Sequence, residues 1–260
     1  MFFAMDITVD GTNISLSPAH LIADYGNNTN MAGGSACCGI DVSADGRDLY
    51  MSAMPELRVQ GYVHSIVRAR MPSSLQEMSP AELPARVTVF EHPPTPTDYD
   101  LTTGYISVNG ANDLLYVTQR VGPSYPRLLR ADLDPDLSDT AGNPEVSILV
   151  EQIDGANEPM AADTQSSGSD SLVFRSYSQA LNCYFLVIMN GRTGTILNQG
   201  TEWISNGGRL SWFGGRVLSE GVVASTKRSL GCRSTGWIVA TDPLTGVSVP
   251  LITGRVPEGR

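Results

Sequence analysis

Two kinds of strand–turn–strand unit alternate along this chain, and that alternation limits its fold more than any other feature. The first kind is an apolar strand, a polar turn carrying Gly or Asp, and a second short strand. It opens the chain as Phe2-Phe3-Ala4-Met5-Asp6 with Ile14-Ser15-Leu16. It returns at Val63–Ala69 with Val87–Phe90, Leu128–Asp134 with Val146–Val150, Tyr184–Met189 with Thr195–Leu197, and Trp237–Asp242 with Val247–Ile252. The second kind precedes the last four of these: Ile40–Met51 around Asp45-Gly46, Tyr105–Val117, Ser169-Asp170 leading into Leu172–Phe174, and Leu210–Leu218. In each, apolar residues recur with period two, the signature of strands.

Two hairpins in sequence make a four-stranded antiparallel sheet, and repeats of roughly 40 to 60 residues of that kind are propeller blades. The expectation is an all-β chain: a β-propeller of about four to five four-stranded antiparallel blades, incomplete or irregularly closed. It is read as one domain over 1–260, with an orphan hairpin at 1–20 and blades at 40–92, 104–151, 161–199 and 208–253. A β-sandwich would also supply many short strands, but nothing in a sandwich requires the two hairpin types to keep their order.

Ser43-Ala44-Asp45-Gly46-Arg47-Asp48-Leu49-Tyr50-Met51-Ser52 resembles the Ser-Pro-Asp-Gly-x-x-Leu-Tyr-Val blade motif of TolB-like, WD40-like and YVTN-type propellers, with Ala44 where those families usually carry proline. The match is thinner at Asn112–Val117 and Ser169–Phe174. The resemblance implies the fold and no particular function.

Closure of the ring is the open question at this level. The first hairpin has no C-terminal mate to complete a blade, and open sheet edges invite association. Three solutions fit: a degenerate closing blade, completion by another subunit, or further sequence. The polar, Gly-rich stretch Asp24–Gly39 is the material for an improvised closure.

Charge narrows the functions. The net charge is −10 and Lys227 is the only lysine, so no basic face offers a phosphate footprint for nucleic acid. No run approaches 18 apolar residues, so no membrane-spanning helix is expected. The start Met1–Asp6 lacks a basic leader segment, which places the protein in the cytosol or puts a leader outside this sequence. The four cysteines, Cys37, Cys38, Cys183 and Cys232, lack zinc-site spacing. Cys37-Cys38 reads as two buried thiols or a strained vicinal disulfide.

Catalytic motifs are scarce. His20, His64 and His92 are the only histidines, and no Gly-x-Ser-x-Gly elbow marks a nucleophile. Acids are more plentiful, at Asp45, Asp132, Asp134, Asp136, Asp163, Asp170 and Asp242. Asp132-x-Asp134-x-Asp136 has the spacing of a cation loop and makes these three the candidate metal residues, with calcium as the ion. No Gly or distant Glu completes an EF-hand, so turn capping by the carboxylates is the simpler reading. Trp203, Trp212 and Trp237 read as core anchors. No catalytic or cofactor-binding residue is assigned. The expected role is a non-catalytic scaffold that binds protein or assembles with itself. The competing role is a propeller enzyme or small-ligand binder, of hydrolase, lactonase or glycosidase type, with a carboxylate-lined or calcium-bearing channel.

Overall fold

Every described element is a strand, and the middle strands of blades I to III are buried on both faces. The computed structural model describes residues 2–11, 13–23, 39–53, 65–74, 86–91, 102–120, 127–133, 145–151, 160–163, 168–178, 183–204, 210–224 and 232–252. Antiparallel sheets are arranged as a four-bladed β-propeller. Blade I is β5(Ile40–Val42), β6(Asp48–Ala53), β7(Ser65–Arg70) and β8(Arg86–Glu91), paired in chain order. Blade II follows with β9(Thr102–Val108), β10(Leu114–Arg120), β11(Arg127–Asp132) and β12(Val146–Val150). Blade III holds β13(Met160–Ala162), β14(Ser171–Ser178), β15(Cys183–Asn190) and β16(Ile196–Ile204). Blade IV holds β17(Ser211–Phe213), β18(Arg216–Ala224), β19(Cys232–Thr241) and β20(Ser248–Ile252). The end of β16 also pairs with β18 at Ile204 and Gly221, which joins the last two blades into one sheet.

Before blade I stands a bent hairpin. β1(Phe2–Ala4) pairs with β4(His20–Ala23), and β2(Ile7–Asp10) with β3(Asn13–Leu16). Its bend is tied by Ser17, whose amide donates to the Asp6 carbonyl at 2.9 Å while its hydroxyl accepts from the Asp6 amide at 2.8 Å.

The blades stack face on face, and the alternation of side chains assigns each residue to one neighbour. On β10, Leu115 and Val117 meet Tyr50 and Ile66 of blade I, while Leu114 and Tyr116 meet Leu172 and Phe174 of blade III. Val173 and Leu186 then turn the other way, onto Trp212 and Val217 of blade IV. Such two-sided burial requires continuous apolar runs, which is what Leu114–Val117 and Leu186–Met189 are. On blade I, the face away from blade II carries Leu49, Met51 and Ala69, and Ala4 of the hairpin packs there. The inner edges β5, β9, β13 and β17 come together in sequence, lining the axis.

A polar latch reinforces the joint between blades I and II. The Asp48 carboxylate, 1% exposed, accepts from Arg68 Nε at 2.9 Å, from Arg70, and from Asn112 Nδ2 of blade II at 2.8 Å. Asn112 in turn accepts the Tyr50 hydroxyl at 2.6 Å. Asn112 and Gly46 hold the same position in equivalent turns, and both have left-handed backbone, φ 59° and 74°. Asn tolerates that conformation, and here its amide gains two partners on the neighbouring blade. Asp48→Ala would leave the buried Arg68 guanidinium unpaired, so unfolding in denaturant should show a loss of about 3–5 kcal/mol. A loss below about 1 kcal/mol would contradict the role given to this latch.

Candidate functional site

The acidic turns come first, because the sequence places its candidate chemistry there. Asp45 accepts from the Ser43 hydroxyl at 2.6 Å and the Arg47 amide at 3.0 Å, and the Ser43 bond chiefly holds its carboxyl below the usual range. Asp242 accepts from the amides of Leu244 and Thr245 at 2.9 and 3.3 Å. Both carboxylates therefore cap turns. Asp132 ends β11 and points to the same side as Arg130, whose Nε lies 3.4 Å away. Asp134 and Asp136 lie outside the described residues, as do His64, His92, Cys37 and Cys38. Among the described residues, no group of three or more His, Cys, Asp or Glu gathers to hold a metal ion. His20 sits on β4, and Cys183, buried at the start of β15, is disulfide-bonded.

A second polar cluster bridges blades II and III. Arg192, in the turn after β15, reaches Asp170 Oδ2 at 2.7 Å and Asp113 Oδ2 at 2.9 Å. The side chain of Asn109 donates to Asp113 at 2.7 Å and to Asp170 at 2.9 Å. Burial raises the Asp170 pKa, but the bonds from Arg192 and Asn109 outweigh it and the net shift is downward. Its bonds to Asp170 and Asp113 push the half-exposed Arg192 further up. With its charges paired to one another, the cluster stitches two blades. Beside it the Tyr116 hydroxyl is buried without a hydrogen-bond partner among the described residues, packed so closely on Gly191 that a Cβ there would collide with its ring. Burial drives the Tyr50 and Tyr116 phenols far above their usual pKa, so neither ionises near neutrality.

At the axis, Asp41 of β5 accepts from the Ser107 hydroxyl at 2.6 Å and the Val108 amide at 2.8 Å, both on β9. Ser107 Oγ then accepts from the Ala162 amide on β13 at 2.8 Å, and Trp212 Nε1 of β17 donates to the Ala161 carbonyl at 2.9 Å. Four inner strands are thus joined by a chain of side-chain bonds. Burial raises the Asp41 pKa, and its bonds from Ser107, Val108 and Val42 only partly offset that.

The remaining feature is apolar. Ile7 and Leu16 are cross-strand partners, as are Val9 and Ile14, so all four share one face of the hairpin. Phe3, on β1, and Met5, between β1 and β2, are exposed as well. These six side chains are 48–71% exposed. Ala4 and Asp6, on the opposite face, meet blade I at the Leu49–Met51–Ala69 cluster and at Ser74. Blade IV repeats the situation at the other end of the stack. Trp212 and Val217 face blade III, whereas Phe213 (68% exposed), Ile238, Val249 and Leu251 face outward and are uncovered. The sequence pattern does not reveal this, because alternation looks the same whether the apolar face is covered or open. Only the unmatched N-terminal hairpin pointed to it.

The two tyrosines give a paired prediction. Tyr50→Phe strands the Asn112 oxygen and should cost about 1–3 kcal/mol, while Tyr116→Phe removes a hydroxyl without a partner and should be neutral or stabilising. Equal costs in denaturant unfolding would contradict the difference. For Asp41, a pKa raised by folding means that its contribution is full below the ordinary aspartate pKa of about 3.9 and is lost as pH rises through the folded value. Asp41→Asn, whose amide oxygen can accept both bonds from β9, should therefore gain stability relative to wild type as pH rises from about 4 to 7. A difference that stays flat with pH would refute this.

No protein-family model matches this chain, and no curated protein matches it. Among solved structures, a crystal structure of a nidogen/laminin complex contains a chain similar to this one, at 13% identity and a TM-score of 0.38, over 84% of this chain and 79% of that one. A likeness so slight bears no weight for function, and the fold stands on the strand pairing described above.

Proposed function

We propose that this chain is a non-catalytic propeller scaffold that binds protein through its uncovered sheet faces. One observation carries the reading: the face of Ile7, Val9, Ile14 and Leu16 is apolar and open, and Phe3 and Met5, just before it in the chain, are exposed as well. Scattered surface leucines are ordinary, but a contiguous apolar patch on a soluble domain marks an interaction site. Blade IV offers a second such face at Phe213, Ile238, Val249 and Leu251. The acids at the blade turns support the same reading, since Asp45, Asp48, Asp113, Asp170 and Asp242 are engaged in holding turns and blades. The blade motif at Ser43–Ser52, similar to that of TolB-like and WD40-like propellers, fits a rigid frame that presents binding surfaces. Among the described residues, no helix is long and apolar enough to cross a membrane.

The double variant Ile7→Asn/Ile14→Asn separates a free surface from a hidden core. Side chains already in water contribute little to folding, so stability should stay within about 0.5 kcal/mol while binding of a hydrophobic dye falls. A loss of about 2–5 kcal/mol, the range for buried aliphatic residues, would show that the face is core and would overturn the proposal.

A further inference from the structure

We propose that Asn13 is an N-glycosylation site, on a chain that folds in an oxidising, secretory compartment. Two independent observations carry this. The first is a redox one. Cys183, 1% exposed at the start of β15, is disulfide-bonded, and no cysteine among the described residues is free. Disulfides form and persist in oxidising compartments and are rare in the cytosol. The second is an acceptor triplet: Asn13-Ile14-Ser15 fits Asn-x-Ser with a residue other than proline in the middle. Such triplets arise by chance, so the placement of this one matters more than its presence. The other, Asn27-Asn28-Thr29, lies outside the described residues.

Asn13 opens β3 at the tip of the hairpin, opposite Asp10 across a turn in which Gly11 takes left-handed backbone, φ 59°. Alternation and cross-strand pairing put Thr8, Asp10, Asn13 and Ser15 on one polar face, opposite Ile7, Val9, Ile14 and Leu16. All four polar residues are exposed. Neither the Asn13 amide nor the Ser15 hydroxyl is engaged in a side-chain hydrogen bond among the described residues. A glycan is bulky and hydrated and must stand on a surface. Strands β2 and β3 are open on both faces and give it room, whereas the middle strands of blades I to III are covered by their neighbours. In the transfer, Asn13 Nδ2 attacks the anomeric carbon of a lipid-diphosphate-linked oligosaccharide, the donor a secretory compartment supplies. A nitrogen–carbon bond forms and the bond from that carbon to the diphosphate oxygen breaks. The lipid diphosphate leaves with the electron pair, and Nδ2 gives up one proton. The glycan leaves from the polar face, so the apolar face stays open for the protein binding proposed above.

The test uses the full chain, secreted from eukaryotic cells behind a cleavable leader. Enzymatic release of N-glycans in heavy-oxygen water turns a glycosylated asparagine into a heavy-labelled aspartate, which peptide mass spectrometry assigns to its position. Wild type should carry that label at residue 13, read separately from residue 27. Ser15→Ala keeps the asparagine, removes the hydroxyl and should lose the label there. Secretion of this variant shows that it folds, and Asn13→Gln replaces it if it is not secreted. Thiol alkylation before and after reduction reads Cys183, which should react only once reduced. Secreted wild type with Cys183 oxidised and residue 13 unmodified overturns the proposal. So does a label at residue 13 that survives Ser15→Ala, and so does Cys183 that alkylates without reduction. Protein binding through the apolar face is tested separately by Ile7→Asn/Ile14→Asn and stands or falls on that result.

Discussion

Burial of both faces of the middle strands of blades I to III is the constraint on which the rest of this structure depends. A sheet with Leu115 and Val117 on one side and Leu114 and Tyr116 on the other is stable only between two neighbours. Stacking satisfies blades I, II and III, and it transfers the problem to the two ends of the series. At one end Ala4 and Asp6 of the hairpin meet blade I, while β2 and β3 are exposed on both faces. At the other, the outer side of blade IV is bare. The open face of blade IV is thus a consequence of the same packing that holds the interior.

Polar groups specify the joints between blades. The Asp48–Arg68–Asn112–Tyr50 latch and the Asn109–Asp113–Asp170–Arg192 cluster each tie one blade to the next through side chains far apart in sequence. Apolar stacking alone tolerates sliding, whereas a carboxylate shared between two arginines and an asparagine fixes the register. The relay from Asp41 through Ser107 to Ala162 does the same along the axis. Acidic residues that could have been the raw material of a catalytic channel are largely committed to architecture.

Much of the fold was legible because strand alternation and turn chemistry are local. Ser43–Met51 announces a strand, a tight turn and a strand, and the structure places β5 and β6 around Asp45-Gly46. The latches were not legible, since Arg192 meets Asp113 across 79 positions and no local pattern encodes that meeting. Nor does spacing reveal that Asp132, at the end of β11, lies beside Arg130, while Asp134 and Asp136 lie outside the described residues. The open faces were half legible. The unmatched hairpin signalled incomplete closure, but Ile7, Val9, Ile14 and Leu16 carry the same alternation as any covered strand. Whether such a face is buried depends on what stands opposite, which only the assembled stack decides.

Hydrogen exchange followed by mass spectrometry, at low and high protein concentration, addresses the central claim most directly. Open-ended stacking predicts that β2, β3 and β20 exchange fast in dilute solution, while β10, β14 and β15, enclosed between neighbours, stay protected. Protection of β2, β3 and β20 equal to that of β15 at the lowest concentration would mean that the chain covers its own ends, and would contradict the account.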